Sequence, residues 1–120
     1  MRLITLIAIL NMTGFVFGAA AHNIDQGILD RLTGNDSSLT DLDLSDNQIG
    51  DAGAIALADA LRENTSLTTL WLHHNQIGDA GAGALADALK ENISLTALFL
   101  TGNQIGDAGA AALAEALTEN

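Results

Sequence analysis

The sequence predicts an α/β fold: a curved solenoid with parallel strands on its concave face and helices on its convex face. Three observations support this, namely a fixed repeat period, a strand pattern in the first half of each unit and a helix pattern in the second half. A 27-residue unit starts every 28 residues and occurs three times, at residues 38–64, 66–92 and 94–120. A period of this length is typical of proteins whose units bury their apolar sides only against neighbouring units.

The first half of each unit has the pattern Leu-x-x-Leu-x-Leu-x-x-Asn-x-Ile. In the first unit these residues are Leu39, Leu42, Leu44, Asn47 and Ile49, and the same residue types recur in the other two units. The last two leucines alternate with a period of two, which indicates a short strand with both leucines facing inward. The asparagine follows at a bend, where its amide can both donate to and accept from unpaired backbone groups.

The second half of each unit has the pattern of a helix. The helices are predicted to begin at N-cap aspartates, which are Asp51, Asp79 and Asp107. A glycine follows in each first turn, where the missing Cβ allows close approach to the strand side: Gly53, Gly81 and Gly109. Leucines four residues apart are predicted to face the core in each helix: Leu57 and Leu61, Leu85 and Leu89, and Leu113 and Leu117. Because stacked strands are about 4.8 Å apart and helices about 10 Å wide, the helical side must splay and the solenoid must curve.

This pattern resembles the leucine-rich repeat family, and specifically its ribonuclease-inhibitor-like class, in which strand and helix alternate. Related repeats occur in the sensor regions of NOD-like receptors. The resemblance covers residues 38–120, in three consecutive copies with every framework position filled. It implies an arc that binds protein partners on its concave face, and it implies no common enzymatic activity.

Residues 1–21 do not belong to the repeat. Arg2 precedes a short apolar run, and small residues follow up to Ala21. This is typical of a secretory signal peptide cleaved after Ala21, so we expect a secreted or extracellular protein without stable membrane insertion. The alternative is an uncleaved segment that anchors the protein in a membrane. Asn11 and Thr13 interrupt the apolar stretch and make it marginal for spanning.

The remaining chain divides into a short first segment and three repeats. Residues 22–37 are interpreted as a degenerate half-repeat that caps the N-terminal end, with Ile28, Leu29 and Leu32 on the apolar side of a short helix. The repeats are assigned to residues 38–65, 66–93 and 94–120. Three asparagines match the N-glycosylation pattern, Asn35, Asn64 and Asn92. The recurring pair, Asn64 and Asn92, is also explained as helix C-terminal residues that tolerate left-handed backbone angles.

Composition excludes several classes of function. The chain has 15 acidic and 4 basic residues, for a formal charge of −11, and such a surface repels nucleic acid. It has no cysteine, which excludes disulfides, thiol catalysis and cysteine-ligated metal centres. The acidic residues on the helices are interpreted as a solvated convex face.

The copies differ mainly at the non-leucine positions of the strand segment. Residues at equivalent positions of the three repeats read Asp43, Trp71 and Phe99, then Ser45, His73 and Thr101. The two other variable positions read Asp41, Thr69 and Ala97, and Asp46, His74 and Gly102. Because strand side chains alternate between faces, these residues are predicted to point out of the concave surface. The variable positions are therefore the ones that a partner would contact.

The variable positions define a candidate protein-binding site. We expect Trp71 and Phe99 to be exposed neighbours on adjacent strands, since aromatic residues are enriched where interfaces gain most of their energy. Acidic side chains beside them favour a partner with an apolar anchor and a basic flank. The candidate partner-binding residues are Asp41, Asp43, Asp46, Thr69, Trp71, His73, His74, Phe99 and Thr101. The alternative is drift at positions that packing leaves free, with the two rings covering each other or a missing segment.

Catalytic and metal chemistry find little support. His73 and His74 are adjacent on a strand, so their side chains diverge and cannot chelate one metal together. Ser45, His73 and Asp43 have the residue types of a hydrolytic trio but no oxyanion hole or nucleophile turn. We predict no enzymatic activity, no metal site and no cofactor.

Two functions remain in competition. The first is a secreted module that recognises a protein partner through its concave strands. The second is a structural fragment, or the N-terminal part of a longer repeat array, without independent activity. The second is motivated by the alignment of Asn120 with Asn92, which leaves an apolar edge open to solvent at Leu98, Leu100, Ile105 and Leu113. Open edges of this kind pair with another copy, aggregate or are continued by further repeats.

Overall fold

The computed structural model describes residues 24–119, which form four helices and three strands. The helices are α1 (Gln26–Thr33), α2 (Gly50–Leu61), α3 (Asp79–Glu91) and α4 (Asp107–Glu119). The strands are β1 (Asp41–Asp43), β2 (Thr69–Trp71) and β3 (Ala97–Phe99). The predicted signal peptide and its alternative as a membrane anchor both fall on residues 1–21, outside the described part of the chain.

The three strands form one parallel sheet in the order β1-β2-β3. Each strand residue pairs with the residue 28 positions later, so that Leu42 lies beside Leu70 and Leu70 beside Leu98. These leucines point inward, and Leu70 in the central strand is fully buried. The helices α2, α3 and α4 pack side by side. Leucines of α2 and α3 share one buried core with the inward leucines of the strands. This arrangement confirms the predicted α/β solenoid, with strands on one face and helices on the other.

The helix α1 packs at the N-terminal side of the first repeat. Its Leu29 and Leu32 are buried in the same core as Leu57 and Leu61 of α2. Among the described residues, none of the helices is long and apolar enough to cross a membrane.

The bend after each strand is held by an asparagine ladder that joins successive repeats. Asn75 is fully buried, and its side-chain oxygen accepts the backbone N–H groups of Asn47 at 2.8 Å and Ile49 at 3.3 Å. Its amide nitrogen donates to the carbonyl of Leu44 at 2.8 Å. Asn103 makes the equivalent contacts with the second repeat. The asparagine therefore satisfies a buried bend, as the sequence predicts, but most of its partners belong to the preceding repeat.

The prediction that each aspartate caps its own helix is wrong, because Asp51 and Asp79 cap the helix of the following repeat. The helix α2 begins at Gly50, and Asp51 makes no capping bond to its own helix. Instead its Oδ1 atom accepts the N–H groups of Gly78 at 2.7 Å and Gly81 at 2.9 Å, at the start of α3. The side chain thus caps the helix of the next repeat, because the neighbouring helix N-terminus lies beside its own first turn. Asp79 repeats this contact with Gly106 at 2.7 Å and Gly109 at 3.0 Å.

The glycine in the first turn of α3 is required by the same contact. A Cβ at Gly81 would lie 2.7 Å from Asp51 Oδ1, 2.8 Å from Ile77 Cγ2 and 2.9 Å from Ala54 Cβ. The close approach therefore involves the preceding helix and its aspartate as well as the strand side that the sequence predicts. A glycine lets adjacent helices come together while the aspartate reaches the backbone.

The asparagines that end the helices do not use left-handed backbone angles. Asn92 is extended, with φ −74° and ψ 134°, and Asn64 is not among the residues with positive φ. Both are buried, and their amide nitrogens donate to carbonyls of the preceding unit: Asn64 to Leu32 at 3.0 Å, and Asn92 to Leu61 at 2.7 Å. Of the three asparagines with a glycosylation pattern, only Asn35 is exposed.

The last helix departs from the predicted core. Leu61 and Leu89 are 1% and 8% exposed, whereas the equivalent Leu117 in α4 is 70% exposed. Leu113 is half-buried, although the equivalent Leu57 and Leu85 are fully buried. The prediction that Leu117 faces the core is therefore wrong in the described structure, because no repeat within residues 24–119 packs over α4.

The connection between α1 and β1 contains a charged turn. Asp36 accepts hydrogen bonds from the hydroxyl of Ser38 at 2.6 Å and from Arg31 Nε at 2.8 Å. Together with the backbone N–H of Ser38, these donors lower the pKa of Asp36 from 3.8 to about 2, the Ser38 hydroxyl having the largest effect.

Candidate protein-binding surface

The variable strand positions form one continuous surface, which we call the concave patch. Its members are the nine predicted residues Asp41, Asp43, Asp46, Thr69, Trp71, His73, His74, Phe99 and Thr101. The register of the sheet brings them together in rows, because residues 28 positions apart lie side by side. One row is Asp41 beside Thr69, and another is Asp43, Trp71 and Phe99. Repetition of the leucine framework thus aligns the residues that differ.

Two aromatic rings form the centre of the concave patch. Trp71 and Phe99 are stacked, with ring centroids 5.7 Å apart and planes only 6° from parallel. Phe99 is 41% exposed. Trp71 is half-buried, in contrast to the expectation that both rings are exposed, because Phe99 covers part of it. The rings therefore present a flat apolar shelf to solvent.

A histidine extends this shelf. The ring of His73 lies 5.8 Å from that of Phe99 at a tilt of 48°, and it is half-buried. Its Nδ1 atom is buried and has no hydrogen-bond partner within residues 24–119. His73 is therefore better described as a third aromatic member of the shelf than as part of an acid–base pair.

The neighbouring histidine diverges from His73, but not through the alternation of strand side chains that the sequence predicts, because both histidines lie in the turn after β2. The rings of His73 and His74 are 6.3 Å apart and tilted by 47°. His74 is exposed, has a φ of 54°, and packs over Gly102 of the next repeat. A Cβ at Gly102 would lie 2.1 Å from His74 Nδ1, and the φ of Gly102 is +76°, so a glycine is needed there on both grounds.

The acidic residues lie on the first-repeat side of the shelf. Asp41, Asp43 and Asp46 are all exposed. Asp43 accepts the backbone N–H of Ser45 at 3.0 Å, and this bond is the main reason why its pKa is lowered below 3.8. The carboxylate therefore stays charged over a wider pH range than an ordinary aspartate.

No lysine or arginine of residues 24–119 forms an ion pair with these acids. The three lysines and arginines in this range form ion pairs outside the concave patch: Arg31 with Asp36, Arg62 with Asp59 and Glu91, and Lys90 with Glu115. The acidic flank is thus free to attract a cationic partner.

The threonines complete the surface without a specialised environment. Thr69 is half-buried between Asp41 and Ala97, and Thr101 is exposed beyond the end of β3. The carbonyl of Thr101 accepts the N–H of His74 at 2.9 Å, which continues the parallel ladder past the strand.

The residue types of a hydrolytic trio do come close together but lack a catalytic geometry. Ser45 gives its backbone N–H to Asp43, and the Nδ1 of His73 bonds to neither residue. In the part of the chain that the structure describes, no three His, Cys, Asp or Glu side chains are grouped so that they could hold a metal ion.

Sequence reasoning missed a depression beside β3. Leu89, Leu95, Leu98 and Leu117 line most of this apolar hollow, which has a volume of about 200 Å³. The sequence indicated it only in part, through the apolar edge that it predicts at β3. The contribution of Leu117 was hidden, because this residue matches the buried Leu61 and Leu89 in sequence.

Comparison with known proteins supports a repeat architecture. The leucine-rich repeat family matches residues 33–58, 63–86 and 91–114, one segment for each repeat. No curated protein sequence matches the chain.

Two solved structures have similar folds. The structure titled "Leiomodin-1 Actin-Binding Site 2 (ABS2)" superposes with a TM-score of 0.77 and 30% identity, covering 83% of this chain and 58% of the other. A tropomodulin C-terminal domain from Caenorhabditis elegans superposes with a TM-score of 0.71 and 18% identity, covering 78% and 57%. The chain thus spans a little over half the length of each. Since the family matches well over half of the residues, in register with the observed repeats, the chain belongs to the leucine-rich repeat family.

Proposed function

We propose that this protein is a protein-binding module whose concave patch recognises its partner. The observation that supports this most strongly is the stacked pair Trp71 and Phe99, which presents apolar area on a solvent-facing sheet. Large aromatic side chains at the centre of a surface, ringed by polar groups, are the usual anchors of protein interfaces. We propose no enzymatic activity for the chain.

The chemistry of the patch favours a partner with an apolar anchor beside lysine or arginine. Asp41, Asp43 and Asp46 make no ion pair with a lysine or arginine of the described residues, and the whole chain has a formal charge of −11. A field of this sign accelerates encounter with a basic surface, and salt weakens that effect. An arginine would serve both features, because its guanidinium pairs with carboxylates and stacks on aromatic faces.

The setting is proposed from residues 1–21. A secretory leader would place the module outside the cell, and an uncleaved leader would anchor it to a membrane. The alternative function is a structural segment, or a part of a longer repeat array, without a partner on its concave face.

Trp71 allows a direct test, because it is the only tryptophan of the chain. The protein is titrated with synthetic peptides that combine arginines with a leucine or aromatic anchor, and the fluorescence of Trp71 is followed. Acidic peptides of equal length serve as the control. We expect a saturable change with the basic peptides that weakens with added salt. Asp43→Asn should weaken it, whereas Ile93→Ala, which removes an apolar side chain that is 83% exposed outside the concave patch, should not.

Two outcomes would count against the concave patch. One is the absence of any saturable signal across the basic set. The other is equal binding by Asp43→Asn, Phe99→Ala and the unmodified protein.

Actin is a second candidate partner, favoured by a specific observation. The leiomodin-1 structure, whose title names an actin-binding site, shares 30% identity with this chain over most of its length. Co-sedimentation with filamentous actin, and native gels with monomeric actin, test this directly. Actin binding that Phe99→Ala abolishes would indicate that actin is the partner of the concave patch. No binding in either assay would exclude actin as the partner.

A further inference from the structure

We propose that Asn35 is the N-glycosylation site of the folded protein, and that Asn64 and Asn92, which share the acceptor pattern, are not modified. The inference rests on the proposed secretory setting, because N-linked glycans belong to proteins of that route. It does not involve the concave patch. The three asparagines match the same pattern in sequence, but their side-chain amides differ in burial and in hydrogen bonding.

The modification replaces one of the two hydrogens of an asparagine amide. The Nδ2 atom attacks the anomeric carbon of an oligosaccharide that is activated as a diphosphate ester. A C–N bond forms, the bond from that carbon to the diphosphate oxygen breaks, and the diphosphate leaves while one amide hydrogen is lost as a proton. The modified amide therefore keeps a single hydrogen, and its nitrogen must have room for a bulky sugar.

Asn64 and Asn92 meet neither requirement. They are only 1% and 3% exposed. The amide nitrogen of Asn92 donates to the carbonyls of Leu61 at 2.7 Å and Asn64 at 3.0 Å, so both of its hydrogens are used. That of Asn64 donates to the carbonyl of Leu32 at 3.0 Å and to the hydroxyl of Ser66 at 3.2 Å. A sugar on either nitrogen would break one of these bonds and displace closely packed atoms, so this fold excludes it.

Asn35 meets both requirements. It is exposed, and within residues 24–119 its amide nitrogen donates a single hydrogen bond, to the hydroxyl of Thr65 at 2.7 Å. The second amide hydrogen can therefore be replaced while this bond is kept. Thr65 is exposed as well, so water can take over the bond if the sugar moves the amide.

The turn after α1 holds this amide at the surface. Asn35 has a φ of 56°, a left-handed angle that asparagine tolerates, and its backbone N–H donates to the carbonyl of Leu32 at 3.1 Å. Its side-chain oxygen accepts the backbone N–H of Thr65 at 2.9 Å, which orients the amide. Ser37, whose hydroxyl completes the acceptor pattern, is exposed in the same turn. The whole pattern is therefore accessible at this position.

The test secretes the 120-residue chain from a eukaryotic cell line, once with its own residues 1–21 and once with an established secretory leader in their place. Protein that unfolds cooperatively on heating is purified from the medium. We expect one added glycan mass, which an enzyme that releases N-linked glycans removes. Because this enzyme converts a glycosylated asparagine to aspartate, peptide mass spectrometry should find the conversion at Asn35 and not at Asn64 or Asn92.

Three variants provide matched controls. Ser37→Ala removes the hydroxyl that the pattern requires, and it should abolish the added mass without loss of the fold, because the Ser37 side chain makes no hydrogen bond within the described residues. Ser37→Thr keeps the pattern and should keep the added mass. Ser94→Ala removes the pattern at Asn92 and should leave the added mass unchanged.

The two leaders separate this inference from the proposed setting. Glycosylation of Asn35 with the replacement leader alone would count against residues 1–21 as a leader and would support the site. Folded protein from the replacement leader without a glycan would overturn the site. A glycan on Asn64 or Asn92 in the folded fraction would overturn the argument from burial. Peptide binding at the concave patch enters none of these measurements, so its failure gives a different result.

Discussion

Replacing Asp79 with alanine should destabilise the protein by more than the same change at Asp107. Asp79 Oδ1 accepts the N–H groups of Gly106 at 2.7 Å and Gly109 at 3.0 Å, and both bonds cross a repeat boundary. Loss of a capping aspartate costs about 0.5–2 kcal/mol, and hydrogen bonds to charged groups are at the upper end of the range for hydrogen bonds. We therefore expect Asp79→Ala to lower the free energy of unfolding by about 1.5–2 kcal/mol.

Asp107→Ala is the matched control, because the residue occupies the same position in its repeat and caps no helix within residues 24–119. Both aspartates lie in the first turn of their own helices, so both variants lose the same favourable interaction with the helix dipole, about 0.3–1 kcal/mol. The difference between the two variants isolates the contact between repeats.

Urea denaturation followed by far-ultraviolet circular dichroism gives the free energies of unfolding. If each aspartate capped its own helix, Asp79→Ala and Asp107→Ala would cost the same amount. Equal losses would therefore refute the assignment of the cap to the neighbouring repeat.

Three further predictions concern stability. Asn75→Ala should cost about 3 kcal/mol or more in urea denaturation, because it leaves several buried backbone groups unpaired; a cost below about 1 kcal/mol would contradict the ladder. Gly81→Ala should lower the melting temperature, because its Cβ would lie 2.7 Å from Asp51 Oδ1. Gly83→Ala has open space around it and should raise the free energy of unfolding by up to about 1 kcal/mol. A change of stability in the same direction at both glycines would be inconsistent with this packing. The pKa of Asp36 is lowered from 3.8 to about 2 in the folded state, so its contribution to the free energy of unfolding is complete above pH 3.8 and is lost as the pH falls through about 2. Asp36→Asn should therefore reduce the dependence of the urea midpoint on pH over that range. An unchanged dependence would argue against the charged turn.

Much of the fold could be predicted from the sequence, because the leucine framework has a strict spacing. The inward direction of Leu42 and Leu70 follows from a period of two, and the parallel register follows from the 28-residue period. The outward direction of Asp43, Trp71 and Phe99 follows as well, since side chains that alternate with buried leucines must point outward.

The partners of the polar framework could not be predicted in the same way. Every copy has the same aspartate and the same glycines, so the sequence does not distinguish a bond within a repeat from a bond to the next one. Asp51 illustrates this, because its assigned N-cap role was chemically correct and placed on the wrong helix. The extended backbone of Asn92 was missed for the same reason, since its amide is used by the preceding repeat.

Positional identity also concealed differences in exposure. Leu61, Leu89 and Leu117 are indistinguishable in the repeat pattern, but burial depends on what packs over them. Trp71 is half-buried because the neighbouring variable residue is a phenylalanine that stacks on it. Such effects depend on residues in an adjacent repeat, which the pattern of a single unit does not contain.

Binding at the concave patch is tested most directly by the indole N–H resonance of Trp71, which is unique in this chain. A 15N-labelled sample is titrated with an arginine-rich peptide that has one aromatic anchor, and chemical shifts are followed for the whole chain. We expect saturable shifts of the indole N–H and of the backbone N–H groups of Asp43, His73 and Phe99, with none along α2 and α3. Shifts confined to the helices, or no shift of the indole at saturating peptide, would contradict it.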